Sequence, residues 1–224
     1  RLYDKLSGMD SYSKGYIDAL VDAQSHIDGY FFLEESLSPA LLDAMQKVCP
    51  ITPNQDGAET PAYVYSHYFL GRRATALARI DLLNKLSQNF DVTVYTHADC
   101  KDILPTAIYG GKIDYYDTMP TVFQHSKLNL NITLKTIQTG IPLRAWDILG
   151  CGGFLLTNFQ QELCDFFIPG EDFVYYESPA DAIEKAAYFL SHDRERQEIT
   201  HNAFEKIAAS HTFHHRVQSM FEII

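Results

Sequence analysis

From residue 62 onward the chain alternates short apolar runs with amphipathic helical patterns, and this alternation restricts its possible folds more than any other feature. Residues 62–70, 91–96 (DVTVYT), 128–132 (LNLNI), 154–157 and 173–176 (FVYY) read as strands, 91–96 being β-branched and aromatic. Residues 75–87, carrying Leu77, Ile80, Leu83 and Leu86, read as a helix, as do 143–149, 179–191, 193–209 and 214–224. Strands alternating with helices imply βαβ units. The expected fold is therefore α/β, a Rossmann-like parallel sheet flanked by helices.

The first 49 residues have a different texture. Tyr16, Ile17, Leu20, Val21 and Ile27 recur at helical spacing, and Ser38-Pro39 opens a second helix with a cap and a proline at its first position. Residues 50–61 hold three prolines and a glycine and read as a linker. The expected division is a helical segment with its linker over 1–61 and a Rossmann-like domain over 62–224.

The formal net charge is −11, which repels phosphate backbones and argues against general nucleic-acid binding. A phosphate-bearing ligand must then be met by a local cation. Cys49, Cys100, Cys151 and Cys164 form no CxxC pair and no zinc spacing, and scattered single cysteines suit a reducing, cytoplasmic setting. No stretch approaches the roughly 18 apolar residues of a membrane-spanning helix. The chain opens on Arg1-Leu2-Tyr3 without Met, as a piece of a longer protein would.

In open α/β sheets, ligands bind at the carboxyl ends of the strands. Residues 133–147 leave a strand, pass Thr139-Gly140 and enter a helix carrying Arg144 and Asp147. Gly140 permits close backbone approach, and the amides of a helix start favour an anion. Arg144 and Asp147, three apart, share one helical face. They offer a cation for phosphate and a carboxylate for sugar hydroxyls, although the same spacing serves a plain surface ion pair. Arg72 and Arg73, after the first expected strand, either grip a diphosphate or form a solvated basic turn. His97-Ala98-Asp99 is an acid/base pair or a cap. His211 and His215 lie one turn apart, with no third ligand in view for zinc. Gly150–Gly153 follows a helix, whereas a dinucleotide fingerprint precedes one, which disfavours NAD. The sequence contains no nucleophile elbow and no Walker loop.

The segments SKLNLNIT (126–133), GIPLRAWDILGCGGFLLT (140–157), PGED (169–172), Tyr175-Tyr176 and HTFHHR (211–216) occur in an order that resembles the glycosyl transferases group 1 superfamily and, within it, the spore-maturation CgeB-like branch. The resemblance covers roughly residues 62–221. It implies the C-terminal, donor-binding domain of a GT-B glycosyltransferase, metal-independent and without a cofactor. Its donor would be a nucleoside-diphosphate sugar, with UDP-sugar first among them. The acceptor would be a sugar, lipid or protein.

The resemblance also assigns roles. Asp147 takes the slot of a carboxylate that bonds the ribose hydroxyls. Thr139 falls at the first of two glutamates that the family commonly carries eight positions apart, followed by the matching Gly140, so the sugar-positioning carboxylate is missing at that slot. Arg144 and the loop amides would bind the diphosphate and stabilise its growing negative charge. Apart from the resemblance, Arg72, Arg73 and Lys127 are further cationic candidates for the donor, with Asn131 as an additional contact. A general base for the acceptor would come from a separate acceptor domain, for which these residues leave no room. The competing reading is a non-catalytic Rossmann-like module that binds a glycan or a protein.

Overall fold

A computed structural model of the protein describes residues 2–52, 57 and 59–222. Its contacts divide the chain into two compact units, residues 1–81 with 133–138, and residues 82–132 with 139–224. The expected linker at 50–61 lies partly outside the described residues, which omit 53–56 and 58.

The first unit is helical in its described part. Asp10 caps α1 (Ser11–Ser25) by accepting from the Ser13 N–H at 3.0 Å, and Ser38 caps α2 (Pro39–Val48) through the Leu41 N–H at 3.3 Å. Such caps satisfy amides that a helix start leaves without intrahelical partners. Leu6, Ile17, Val21, Leu33, Met45, Tyr65 and Leu70 form the core. The Tyr65 hydroxyl donates to the Cys49 carbonyl at 2.6 Å, so this large ring is buried without stranding its oxygen.

Residues 62–70 are helix, not strand. Thr60 caps α3 (Pro61–Val64), a π-helical stretch Tyr65–Gly71 follows, and α4 (Arg72–Ser87) continues from it. The apolar run carries no alternation, so periodicity alone cannot separate a buried strand from a buried helix. Thr60-Pro61 is the deciding signal, a capping residue followed by proline at the first helical position. Gly71 belongs here because a Cβ would collide with the Thr136 side chain.

The second unit carries the sheets. β1 (Thr93–Tyr95) pairs in parallel with β2 (Ile108–Gly111). After α5 (Met119–His125), β3 (Asn129–Asn131), β4 (Leu155–Asn158) and β5 (Val174–Tyr176) form a parallel sheet in the order β3-β4-β5. α6 (Leu143–Gly150) lies between β3 and β4, and α7 (Pro179–Ser191), α8 (Asp193–Ser210) and α9 (Phe213–Glu222) follow β5. Both faces of β4 are covered. Phe154 and Leu156 pack with Leu82, Leu86, Ala186, Phe189 and Ile199, whereas Leu155 packs with Ile148, Leu149, Phe167, Phe173 and Ala203. Successive side chains of a strand point to opposite faces, so an unbroken apolar run fits a sheet with helices on both sides.

The Gly150–Gly153 run ends α6 as expected of a helix C-terminus. The Gly153 N–H bonds the Ile148 carbonyl at 2.9 Å and the Gly152 N–H bonds the Leu149 carbonyl at 3.0 Å, with Gly152 at φ +71°. Gly153 then lets the backbone pass close to β3, since a Cβ there would lie 2.8 Å from the Asn129 side-chain nitrogen.

Candidate functional site

Parallel strands followed by helices concentrate loop residues at their carboxyl ends. After β3 the chain runs through 133–138, which pack in the first unit, and returns at Thr139 to start α6. Lys135 anchors this excursion: its N–H bonds Thr75 Oγ1 at 3.0 Å, and its buried ammonium pairs with Asp28 at 2.8 Å. Gly140 turns the chain at φ +92°, where glycine is favoured, and no side-chain cap covers the start of α6.

Arg144 and Asp147 do share one face of α6, and both are partly exposed. That face meets the turn before α5 and the first residues of α5. The Tyr115 hydroxyl reaches both oxygens of Asp147, at 2.8 and 2.9 Å. This contact, with burial second, raises the Tyr115 phenol above its usual range. The Arg144 guanidinium lies 5.6 Å from the Phe123 ring centre and 5.9 Å from that of Tyr115, with Nη1 against the sulfur of Met119. Its distance to Asp147 Oδ2 is 3.9 Å, too long for a hydrogen bond. The cation is thus positioned by aromatic faces and is not consumed by its acidic neighbour.

The turn carrying Tyr115 folds locally. Asp114 Oδ1 accepts from the Tyr116 and Asp117 N–H groups, each at 2.8 Å, which also holds its carboxyl below the usual range. At the Gly140 turn, the amide N–H bonds the carboxylate of Glu162, from the short helix after β4. A carboxylate therefore does stand beside the Thr139-Gly140 turn, supplied by the short helix after β4. Neither Tyr115 nor Glu162 is visible in the sequence as a site residue. The Asp114 turn gives a local cue for the first, whereas only tertiary folding brings in the second.

The other candidates disperse. Asn131 is buried in β3 and bonds Thr157 Oγ1 of β4 at 3.0 Å, which makes it a cross-strand tie. Lys127 precedes β3 and so lies at the opposite end of the strand from Gly140. It lines a groove of about 390 Å³ with Phe154, Arg196 and Phe204, where Asp193 already pairs with Arg196 at 2.6 Å. Because 62–70 is helical, no strand-to-helix turn exists at Arg72 and Arg73. Their guanidiniums lie 5.2 Å from the Tyr68 ring centre and 5.7 Å from that of Tyr3, respectively. His97 is exposed, and Asp99 accepts the Lys101 N–H at 3.0 Å as a local cap. His211 sits among Trp146, Phe166 and Phe167 and takes a hydrogen bond from Arg216 at 3.0 Å.

A parallel sheet with helices on both faces, and a cation and carboxylate together on the helix that follows one of its strands, define a Rossmann-like α/β domain. The family model described as "Glycosyl transferase-like" matches residues 73–222, and the chain belongs to that family. Membership carries a glycosyltransferase role and, with it, a sugar donor. A comparison with curated proteins finds no match. Among the described residues, no helix is long and apolar enough to cross a membrane.

Proposed function

We propose that this chain is the donor-binding domain of a metal-independent GT-B glycosyltransferase using a nucleoside-diphosphate hexose, with UDP as the first nucleotide to test, acting in the cytoplasm and related to the CgeB-like branch. The observation that carries the reading is the shared face of Arg144 and Asp147 on α6, in a member of the glycosyl transferase-like family. Asp147 receives the ribose hydroxyls, while Arg144 and the Thr139-Gly140 turn meet the diphosphate.

Glycosyl transfer breaks the anomeric C–O bond. Charge accumulates on the departing diphosphate while the sugar gains oxocarbenium character, so a cation placed at the leaving group lowers the barrier. Loss of one such contact costs about 3–4 kcal/mol at comparable oxyanion sites. In solution Arg144→Ala abolishes UDP binding measured by calorimetry; unchanged affinity rejects the assignment. Release of free nucleotide from one sugar donor tests catalysis separately.

One observation favours the non-catalytic reading. The Asp147 oxygens and the Gly140 N–H already have internal partners, Tyr115 and Glu162, so these groups are satisfied without a ligand. A thermal-shift screen with UDP, GDP and ADP separates the two, because a nucleotide binder gains stability with ligand concentration and a pure protein-docking module gains none.

A further inference from the structure

We propose that Tyr115 is an internal competitor for the donor's ribose, its hydroxyl holding the Asp147 carboxylate until a vicinal diol evicts it. This rests on the assignment of Asp147 above.

The geometry supplies the selectivity. Tyr115 has one O–H, and its oxygen stands 2.8 Å from Asp147 Oδ1 and 2.9 Å from Oδ2. A single hydrogen is therefore shared between two acceptors. A ribose 2′,3′-diol brings two hydrogens, one for each oxygen. Exchange of the phenol for a diol gains a charge-assisted hydrogen bond, whereas exchange for a single hydroxyl gains none. A ligand with no hydroxyl at either position leaves Tyr115 in place. The site is thus biased toward ribonucleotides before any contact to the base is made.

The phenol is also free to leave without unfolding its support. The turn is held by Asp114 through the Tyr116 and Asp117 amides, and the Met119 N–H bonds the Asp114 carbonyl at 2.9 Å. None of these bonds uses the Tyr115 side chain. Tyr115 and Tyr116 are both exposed, so side-chain rotation carries the hydroxyl into solvent, giving up the ring contacts to Tyr116 and Arg144, while the Phe123 ring 5.6 Å from the Arg144 guanidinium stays in place.

The test uses the full chain, wild type and Tyr115→Phe, titrated by calorimetry with UDP, GDP and ADP and the 2′,3′-dideoxy form of each. Removing the competitor tightens the ribonucleotide on the order of tenfold, the worth of one such hydrogen bond, and leaves the dideoxy form unchanged. Equal tightening of both forms, no change in either, or weaker ribonucleotide binding overturns the proposal. In parallel, the labelled Tyr115 ring resonance moves on adding the ribonucleotide but not the dideoxy form; movement with both, or with neither, counts against eviction. Asp147→Asn distinguishes the layers. If it binds ribonucleotides as wild type does, or if no ribonucleotide binds wild type, the ribose assignment falls and takes this proposal with it. If Asp147→Asn loses binding while Tyr115→Phe changes nothing, only the competitor role falls.

Discussion

Three glycines show how much one added methyl group depends on its surroundings. At Gly153 a Cβ would lie 2.8 Å from the Asn129 side chain, 3.0 Å from the Phe123 carbonyl and 3.1 Å from the Ile148 carbonyl. Two of these neighbours are backbone and cannot yield cheaply, so Gly153→Ala costs about 2–3 kcal/mol. Gly140 has open space but φ +92°, and alanine there carries only a conformational penalty of about 1–2 kcal/mol. Gly15, inside α1 with nothing near it, becomes a better helix former as alanine and gains about 0.5–1 kcal/mol. Urea denaturation ranks them Gly15→Ala, wild type, Gly140→Ala, Gly153→Ala from most to least stable; a Gly153→Ala protein as stable as wild type contradicts the close pass against β3. At this scale the sequence is legible where chemistry is local. The glycine pair after α6 and the Arg144–Asp147 spacing can be read directly. Tyr115 and Glu162 cannot, because their partners are reached only through the tertiary fold.

Elements were legible where a start signal and a period agreed. Ser38-Pro39 opens α2, and Ser178-Pro179 opens α7 with the Asp181 N–H bonded to Ser178 Oγ at 3.1 Å. At 62–70 the apolar run obscures the equivalent Thr60-Pro61 signal, which marks the helix start. β2 and α5 carry no clear sequence signal, since Ile108–Gly111 ends in two glycines and α5 is only 7 residues long. The element that the HTFHHR run builds is held by His211, whose ring sits among Trp146 of α6, Phe166 and Phe167. Burial, then the nearby Arg216 and His215, push its pKa below the ordinary 6.5. The unfolded chain therefore takes up this proton at higher pH than the folded one. The contribution of neutral His211 is complete above about 6.5 and is lost as pH falls through the lower folded value. Melting temperature should fall across that window, and His211→Gln should flatten this part of the profile. An unchanged profile in the variant assigns the acid sensitivity to other groups.

For the whole molecule, the net charge of −11 makes every buried cation conspicuous. Lys135 is the clearest case. It lies on the 133–138 excursion that interrupts the second unit and packs in the first, with its side chain 4% exposed and its ammonium 2.8 Å from Asp28. Nothing in the sequence near either residue announces the pair, because their closeness arises only when the excursion joins a segment far upstream. Taking an ammonium out of water is costly, and a carboxylate at hydrogen-bond distance offsets much of that cost. The two halves of the pair are consequently unequal under mutation. Asp28→Asn leaves a buried cation facing a neutral amide and destabilises the protein by about 3–5 kcal/mol. Lys135→Met removes the buried charge and keeps a chain of similar length in the same space, while the Asp28 side chain is 22% exposed, so it costs much less. The double variant should be no worse than Lys135→Met, since neither charge then remains. Chemical denaturation of the three variants decides the matter. If Asp28→Asn is as mild as Lys135→Met, water reaches the ammonium and the pair does not hold the excursion in place; if the double variant is as unstable as Asp28→Asn, the damage lies in the lost Asp28 contacts and not in a stranded charge.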